Sequence, residues 1–201
     1  MEDYKIVTRE SYNKNAKVFS EYFKDLLDLE KRKEFKTFIG LLRGKKILDL
    51  GCGSGDHALY FKENGFDVTC IDISENMIEL CKQKGLNAEV MDIESLKFED
   101  SEFDGIWAVT SLLHVPKNKI ADVVRSLSRV LKDKGILYVC VKEGEGERYI
   151  PDKHDLTTSR FFAYWQKEEL IDVFKKSFDL VDFWKHRPLN TMFLHFLFRK
   201  R

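Results

Sequence analysis

The sequence predicts an α/β fold: a three-layer α/β/α sandwich around a mostly parallel sheet. Ile47-Leu48-Asp49-Leu50 is a short apolar-rich strand that runs directly into Gly51-Cys52-Gly53-Ser54-Gly55 and then into an amphipathic segment. Two further β-rich runs, 66–73 and 88–93, each close on an acid, Asp72 and Asp92. Short strands alternating with helical patterns place parallel strands in one sheet with helices on its faces.

The first element is the most informative. A strand that ends in a glycine turn and feeds a helix leaves backbone N–H groups directed at one spot, and without Cβ atoms a ligand can lie against the main chain. Gly51, Gly53 and Gly55 make GxGxG, whereas the dinucleotide fingerprint is GxGxxG. Asp72 falls about twenty residues beyond the first glycine, where an acid reaches the ribose hydroxyls of a nucleoside. A carboxylate accepts two hydrogen bonds from a vicinal diol, roughly 1.5–3 kcal/mol each. Taken singly, each acid is equally a strand-end or helix-capping residue. Three of them, at successive strand ends, form a pattern.

At these residues the chain resembles the class I S-adenosylmethionine-dependent methyltransferases, whose first motif reads much like Asp-Leu-Gly-Cys-Gly-Ser-Gly at 49–55. The resemblance continues through a fourth strand at 102–108, the segment Ser111-Leu112-Leu113-His114-Val115 just after it, and the stretch 127–141. That stretch is similar to the family's Leu-Lys-Pro-Gly-Gly turn, with Asp133-Lys134 in place of Pro-Gly and a helix stop expected on Gly135. The resemblance implies a Rossmann-like sheet of seven strands, the last antiparallel and inserted next to the fifth. It also implies S-adenosyl-L-methionine as cofactor and S-adenosyl-L-homocysteine as product. By the same resemblance Asp72 holds the ribose, Asp92 meets the adenine amino group, and Ile73 and Ile93 sandwich the ring. The expected cofactor-binding set is Asp49, Gly51, Cys52, Gly53, Gly55, Asp72, Ile73, Met77, Asp92, Ile93 and Tyr12.

The rest of the chain is read around that core of residues 45–142. Before it, 1–44 forms an expected helical lid. Apolar residues at helical spacing (Ala16, Phe19, Tyr22, Phe23, Leu26, Leu27 and Leu29) suggest one or two amphipathic helices between 12 and 42. Tyr12 opens a segment similar to the family's Tyr-Asp-x-x-Ala start, where the tyrosine lies near the methionine end of the cofactor; packing is the competing role for Tyr12 and Phe19. Asp56 and Ser74 sit where helix caps are favoured. After the core, 143–201 carries a polar stretch at 143–158, read as a long flexible loop because it holds Gly144, Gly146 and Pro151. An aromatic run at 161–165, a helix over 166–174 and strands at 178–186 and 190–198 follow. The aromatic run resembles the family's substrate-side insertion, with core packing the competing role, and Tyr149, His154 and Tyr164 are expected to be wall or surface residues rather than catalysts.

Composition excludes several classes. Lys plus Arg number 34 and Asp plus Glu 34, a net charge of +0, so no basic field gathers DNA. No long uncharged run suggests a membrane span or signal peptide. The four cysteines form no CxxC pair and fit free thiols in a reducing cytoplasm, with no metal expected.

Methyl transfer from a sulfonium needs alignment, worth roughly 7–11 kcal/mol, and a general base only when the acceptor is protonated. His114, at the carboxyl edge of the sheet, is the candidate catalytic residue; a backbone-bonded histidine lining the methionine end is the competing reading. The segment Val109-Thr110-Ser111-Leu112 lacks the Asp/Asn-Pro-Pro-Tyr/Phe signature of amino methylation on bases or glutamine, and the Pro-Cys of cytosine-C5 enzymes. A small metabolite is the expected acceptor. Two rivals stay open. A nicotinamide-dependent oxidoreductase is opposed by the glycine spacing and the lack of a Tyr-x-x-x-Lys dyad. A non-catalytic S-adenosylmethionine-binding module would keep the same pocket residues.

Overall fold

The computed structural model describes residues 3–26 and 31–201, the side chains of 22–26, 31 and 32 excepted. Three helices come first: α1 (Tyr4–Lys14), α2 (Ala16–Leu26) and α3 (Lys31–Leu41). The alternating core follows as β1 (Lys46–Leu50), α4 (Asp56–Glu63), β2 (Asp67–Asp72), α5 (Glu75–Gln83), β3 (Asn87–Val90), β4 (Phe103–Val109), α6 (Ile120–Val130) and β5 (Leu131–Lys142). The chain ends with β6 (Glu147–Pro151), β7 (Ser159–Ala163), α7 (Lys167–Phe174), β8 (Phe178–His186) and β9 (Phe193–Lys200).

Seven strands form one sheet in the order β3-β2-β1-β4-β5-β9-β8. Pairs β1–β2, β2–β3, β1–β4 and β4–β5 are parallel, while β9 runs antiparallel to both β5 and β8. The expected sheet and its antiparallel last strand are therefore present. Strand order reverses between β1 and β4, and a crevice opens at the carboxyl ends of strands on either side of such a switch point.

Alternating side chains split the core between the two faces. On one face Leu48, Leu50, Ile106 and Ala108 pack under α6. Val123, Val124, Leu127 and Val130 of α6 are buried there, each contributing roughly 1.5–3 kcal/mol. On the other face Ile47, Cys70, Trp107 and Tyr138 pack against Phe35 and Phe38 of α3 and Phe61 of α4.

Several expectations need correction. The amino-terminal region holds three helices, beginning at Tyr4, where Asp3 caps α1 by accepting the Lys5 N–H at 2.9 Å. Leu27 and Leu29 lie outside the described residues. The 143–158 segment is not a structureless loop, since β6 pairs antiparallel with β7. The helix stop is Val130, and the left-handed residue in the irregular start of β5 is Lys134, φ 62°, not Gly135. Asp56 does not cap α4, whose N-cap is Gly55; its carboxylate instead accepts from Ser54 Oγ at 2.7 Å and Lys84 Nζ at 3.0 Å. Ser74 caps α5 as expected, accepting the Met77 N–H at 3.2 Å.

Candidate active site

The glycine turn after β1 works by close approach. Gly51 has φ +73°, and a Cβ there would stand 2.4 Å from Ser111 Cβ, because β1 and β4 are neighbours and the β4 tip crosses directly over the turn. Gly53, φ +53°, faces open space with nothing within 4 Å. Gly55 plays another part: a Cβ there would meet Leu86 Cδ1 at 2.5 Å and Cys81 Sγ at 2.8 Å, so it lets α4 start against α5. Four of the turn's backbone donors are already engaged within the fold. The N–H groups of Gly51 and Cys52 bond Ile71 O at 2.8 and 2.9 Å, that of Gly55 bonds Cys52 O at 3.0 Å, and that of Gly53 bonds Asp72 Oδ2 at 3.0 Å. These four donors are held within the fold, and the buried Asp49 carboxylate beside the turn suits a cationic group.

A cavity of about 320 Å3 opens over this turn. Every residue of the expected cofactor set lines it except Gly55, and His114 lines it too. Asp49 is 2% exposed, and its Oδ2 has no hydrogen-bond partner. Burial, with Asp72 nearby, pushes its pKa well above the usual carboxylate range. Asp72 accepts N–H bonds from Ser74 on Oδ1 and Gly53 on Oδ2, and burial raises its pKa to about 6. Each oxygen keeps a second lone pair for a diol. Asp92 is already partnered: Lys5 Nζ sits 2.6 Å from Oδ2, and Oδ1 accepts the Glu94 N–H at 2.9 Å.

One face of α1, Tyr4, Lys5, Thr8 and Tyr12, lies along the cavity at helical spacing. Tyr4 packs on Phe161, with ring centroids 5.4 Å apart, and polar contacts add to the helix's hold on the core. Ser74 Oγ donates to Asn13 Oδ1 at 2.6 Å, Asn76 Nδ2 to Asn13 O at 2.9 Å, and the Phe161 N–H to Thr8 Oγ1 at 3.1 Å. Tyr4 hydrogen-bonds Glu94. Tyr4, Lys5 and Thr8 were not singled out from the sequence; the Asp3 cap is the signal that could have extended the helix to them.

His114 is half-buried, and both ring nitrogens are engaged. A carbonyl only accepts, so Nδ1–H donates to Phe161 O at 2.6 Å, and Nε2 accepts from Tyr12 OH at 2.9 Å. Burial lowers its pKa to about 3. The Tyr12 phenol, raised by burial, stays protonated and also accepts from Arg160 Nη1 at 3.2 Å. This chain of contacts fits positioning better than base catalysis. Thr110, at the tip of β4, carries φ 52°, rare for a β-branched residue, and lines the same cavity.

A family model described as "Methyltransferase domain" matches residues 48–139. Curated relatives include phosphoethanolamine N-methyltransferase 3 of Arabidopsis thaliana, 36% identical over 106 residues (49% of this chain, 22% of that protein). Another is the demethylmenaquinone methyltransferase of Staphylococcus aureus (strain MRSA252), 34% identical over 122 residues (57% of this chain, 49% of that protein). The chain spans less than half the length of each. Among solved structures, an S-adenosylmethionine-dependent methyltransferase from Methanosarcina mazei superposes with TM-score 0.74 at 23% identity, covering 84% of this chain and 97% of that one. The Burkholderia thailandensis 1,6-didemethyltoxoflavin-N1-methyltransferase, crystallised with S-adenosylhomocysteine, gives TM-score 0.66 at 20% identity, covering 96% of this chain and 90% of that one. The methyltransferase-domain model thus matches the glycine turn and strands β1 to β5, and the seven-stranded sheet has the fold of these solved methyltransferases.

Proposed function

We propose that the protein transfers a methyl group from S-adenosylmethionine to a small-molecule acceptor by in-line displacement. Its four free cysteines fit work in a reducing cytoplasm. The observation that carries the reading is Asp49: a buried carboxylate with an unpartnered oxygen, beside a glycine turn that offers close approach. Such a group waits for a cation. Asp72 at the tip of β2 adds acceptors for a diol, and Ile73, Met77 and Ile93 add apolar wall for a flat ring. The donor set therefore fits a cationic, ribose-bearing nucleoside.

Bound there, S-adenosylmethionine supplies a methyl group already activated by its sulfonium charge. Asp49 acts as counter-ion to the amino-acid end, and Asp72 grips the sugar. Cys52 and Gly53 form the surface against which the ligand lies. Tyr12, seated on His114 and Arg160, closes the cavity beneath α1 and keeps water from the methyl group. His114 is a positioning residue that acts through Tyr12. Named relatives act on small molecules, demethylmenaquinone and 1,6-didemethyltoxoflavin among them, and this supports an acceptor of that size.

Isothermal titration with S-adenosylmethionine, S-adenosylhomocysteine and NADH tests the proposal. Saturable binding of the first two and none of NADH is expected. NADH binding without S-adenosylmethionine binding would overturn it. Product S-adenosylhomocysteine forming only when a metabolite fraction is added separates an enzyme from an inert binding module.

A further inference from the structure

The cavity has a second arm that the cofactor residues leave unused. It runs beneath α3 over the face of β4, β5 and β9, where Phe35, Trp107, Tyr138, Phe193 and His195 line it. Trp107 and Tyr138 are register partners on β4 and β5, and their rings stack 4.0 Å apart at 14°. Phe35 of α3 closes on Trp107 with centroids 4.6 Å apart. Farther along, the His195 ring stacks on Trp184 at 5.3 Å and 7°, and its Nδ1 lies 2.6 Å from Tyr138 OH.

His195 is only 6% exposed, yet its Nε2 has no hydrogen-bond partner. Burial holds its pKa down at about 4, so the ring is neutral at working pH, and Nε2 is its open hydrogen-bonding site whichever nitrogen carries the proton. A buried polar atom left unpaired is unfavourable, and a ligand that pairs it recovers that cost. Glu34 Oε2 on the same wall is a second buried atom without a partner. Charge narrows the ligand further. Among the described residues lining the whole cavity, Lys5 is the only lysine or arginine, and it is ion-paired with Asp92 on the far side of the turn.

We propose that this arm receives the methyl acceptor, and that the acceptor is an uncharged planar aromatic or heteroaromatic molecule bearing a hydroxyl or ring nitrogen at its edge. This rests on assigning the other arm to the cofactor. Ring-lined walls favour a flat apolar body, and His195 Nε2 takes its polar edge. A carboxylate or phosphate would meet Glu34 with no cation to neutralise it. A small aliphatic amine would leave the aromatic walls uncovered.

Calorimetric titration of the full chain with 1-naphthol and with 1-naphthoate, each with and without saturating S-adenosylhomocysteine, tests the proposal. Expected is saturable naphthol binding at least tenfold tighter than naphthoate binding. Phe193→Ala and His195→Phe should each weaken naphthol at least fivefold while S-adenosylhomocysteine affinity stays within twofold, which also reports that the variants are folded. No saturable naphthol binding, equal or better naphthoate binding, or wild-type naphthol affinity in both variants would overturn the proposal. Loss of S-adenosylhomocysteine binding by the wild-type chain would instead overturn the cofactor assignment, so the two failures are distinct.

Discussion

Asp72 engages each carboxylate oxygen with a backbone N–H, yet burial still holds its pKa at about 6 against an ordinary 3.8. Below about pH 6 the free carboxyl is therefore protonated, and a protonated acid is a poorer acceptor for a diol. Cofactor affinity should fall as pH drops from 7.5 to 5, read as Kd by calorimetry. Asp72→Ala should bind at least tenfold more weakly at pH 7.5 and lose that pH dependence; a flat wild-type Kd would contradict the ribose assignment. His114, with its pKa at about 3, is neutral through the working range. His114→Ala should lower kcat yet leave the pH–rate profile unchanged in shape. Tyr12→Phe should cost a similar factor, and the double variant should cost less than the product of the two, because the residues form one contact chain. A pH–rate limb that vanishes in His114→Ala would mark it as a base after all.

At the level of elements, the irregular opening of β5, where its pairing with β4 jumps from Leu131 to Ile136, holds a lysine in the left-handed region, Lys134 at φ 62°. A non-glycine residue there costs roughly 1–2 kcal/mol, partly offset by glycine's larger unfolded-state entropy. Lys134→Gly should raise stability by about 0.5–1 kcal/mol, read from the urea midpoint, without touching the site. The β1–α4 turn and the acids of β1 and β2 were legible in the sequence because strand, glycines and carboxylates lie close together along the chain. The helix α1 was less so. It is held by Lys5, Thr8 and Asn13 through hydrogen bonds, and such polar positions give no continuous apolar stripe to read. The strand β6 was hidden for a related reason: it is mostly exposed, and only pairing with β7 makes it a strand. The aromatic arm draws Trp107, Tyr138 and His195 from three strands, of which β9 runs opposite to the other two. No local spacing marks that convergence.

Across the molecule, buried groups tie stability to pH in opposing directions. His195 folds with its pKa near 4 against an ordinary 6.5, so between those values the unfolded chain binds more protons and the native state loses stability as pH falls. Asp72 works the other way: between about 4 and 6 the native state binds the extra proton and gains stability as pH falls. The net slope is thus a difference, and a single substitution isolates one part. His195→Phe removes the histidine contribution, so its Tm minus that of the wild type should rise as pH falls from 7 to 4.5 in thermal melts. A difference that stays constant would show that His195 titrates normally.

The polar seating of α1 has a kinetic consequence. If the cofactor lies as proposed, the contacts of Lys5 with Asp92 and of Asn13 with Ser74 and Asn76 hold the 11-residue helix α1 over its adenine end, and release of spent nucleoside should require that helix to lift. Dwell time, rather than affinity, is then what those contacts govern. Asn13→Ala should shorten the residence of S-adenosylhomocysteine several-fold in stopped-flow chase experiments, and steady-state turnover should quicken wherever departure is the slow event.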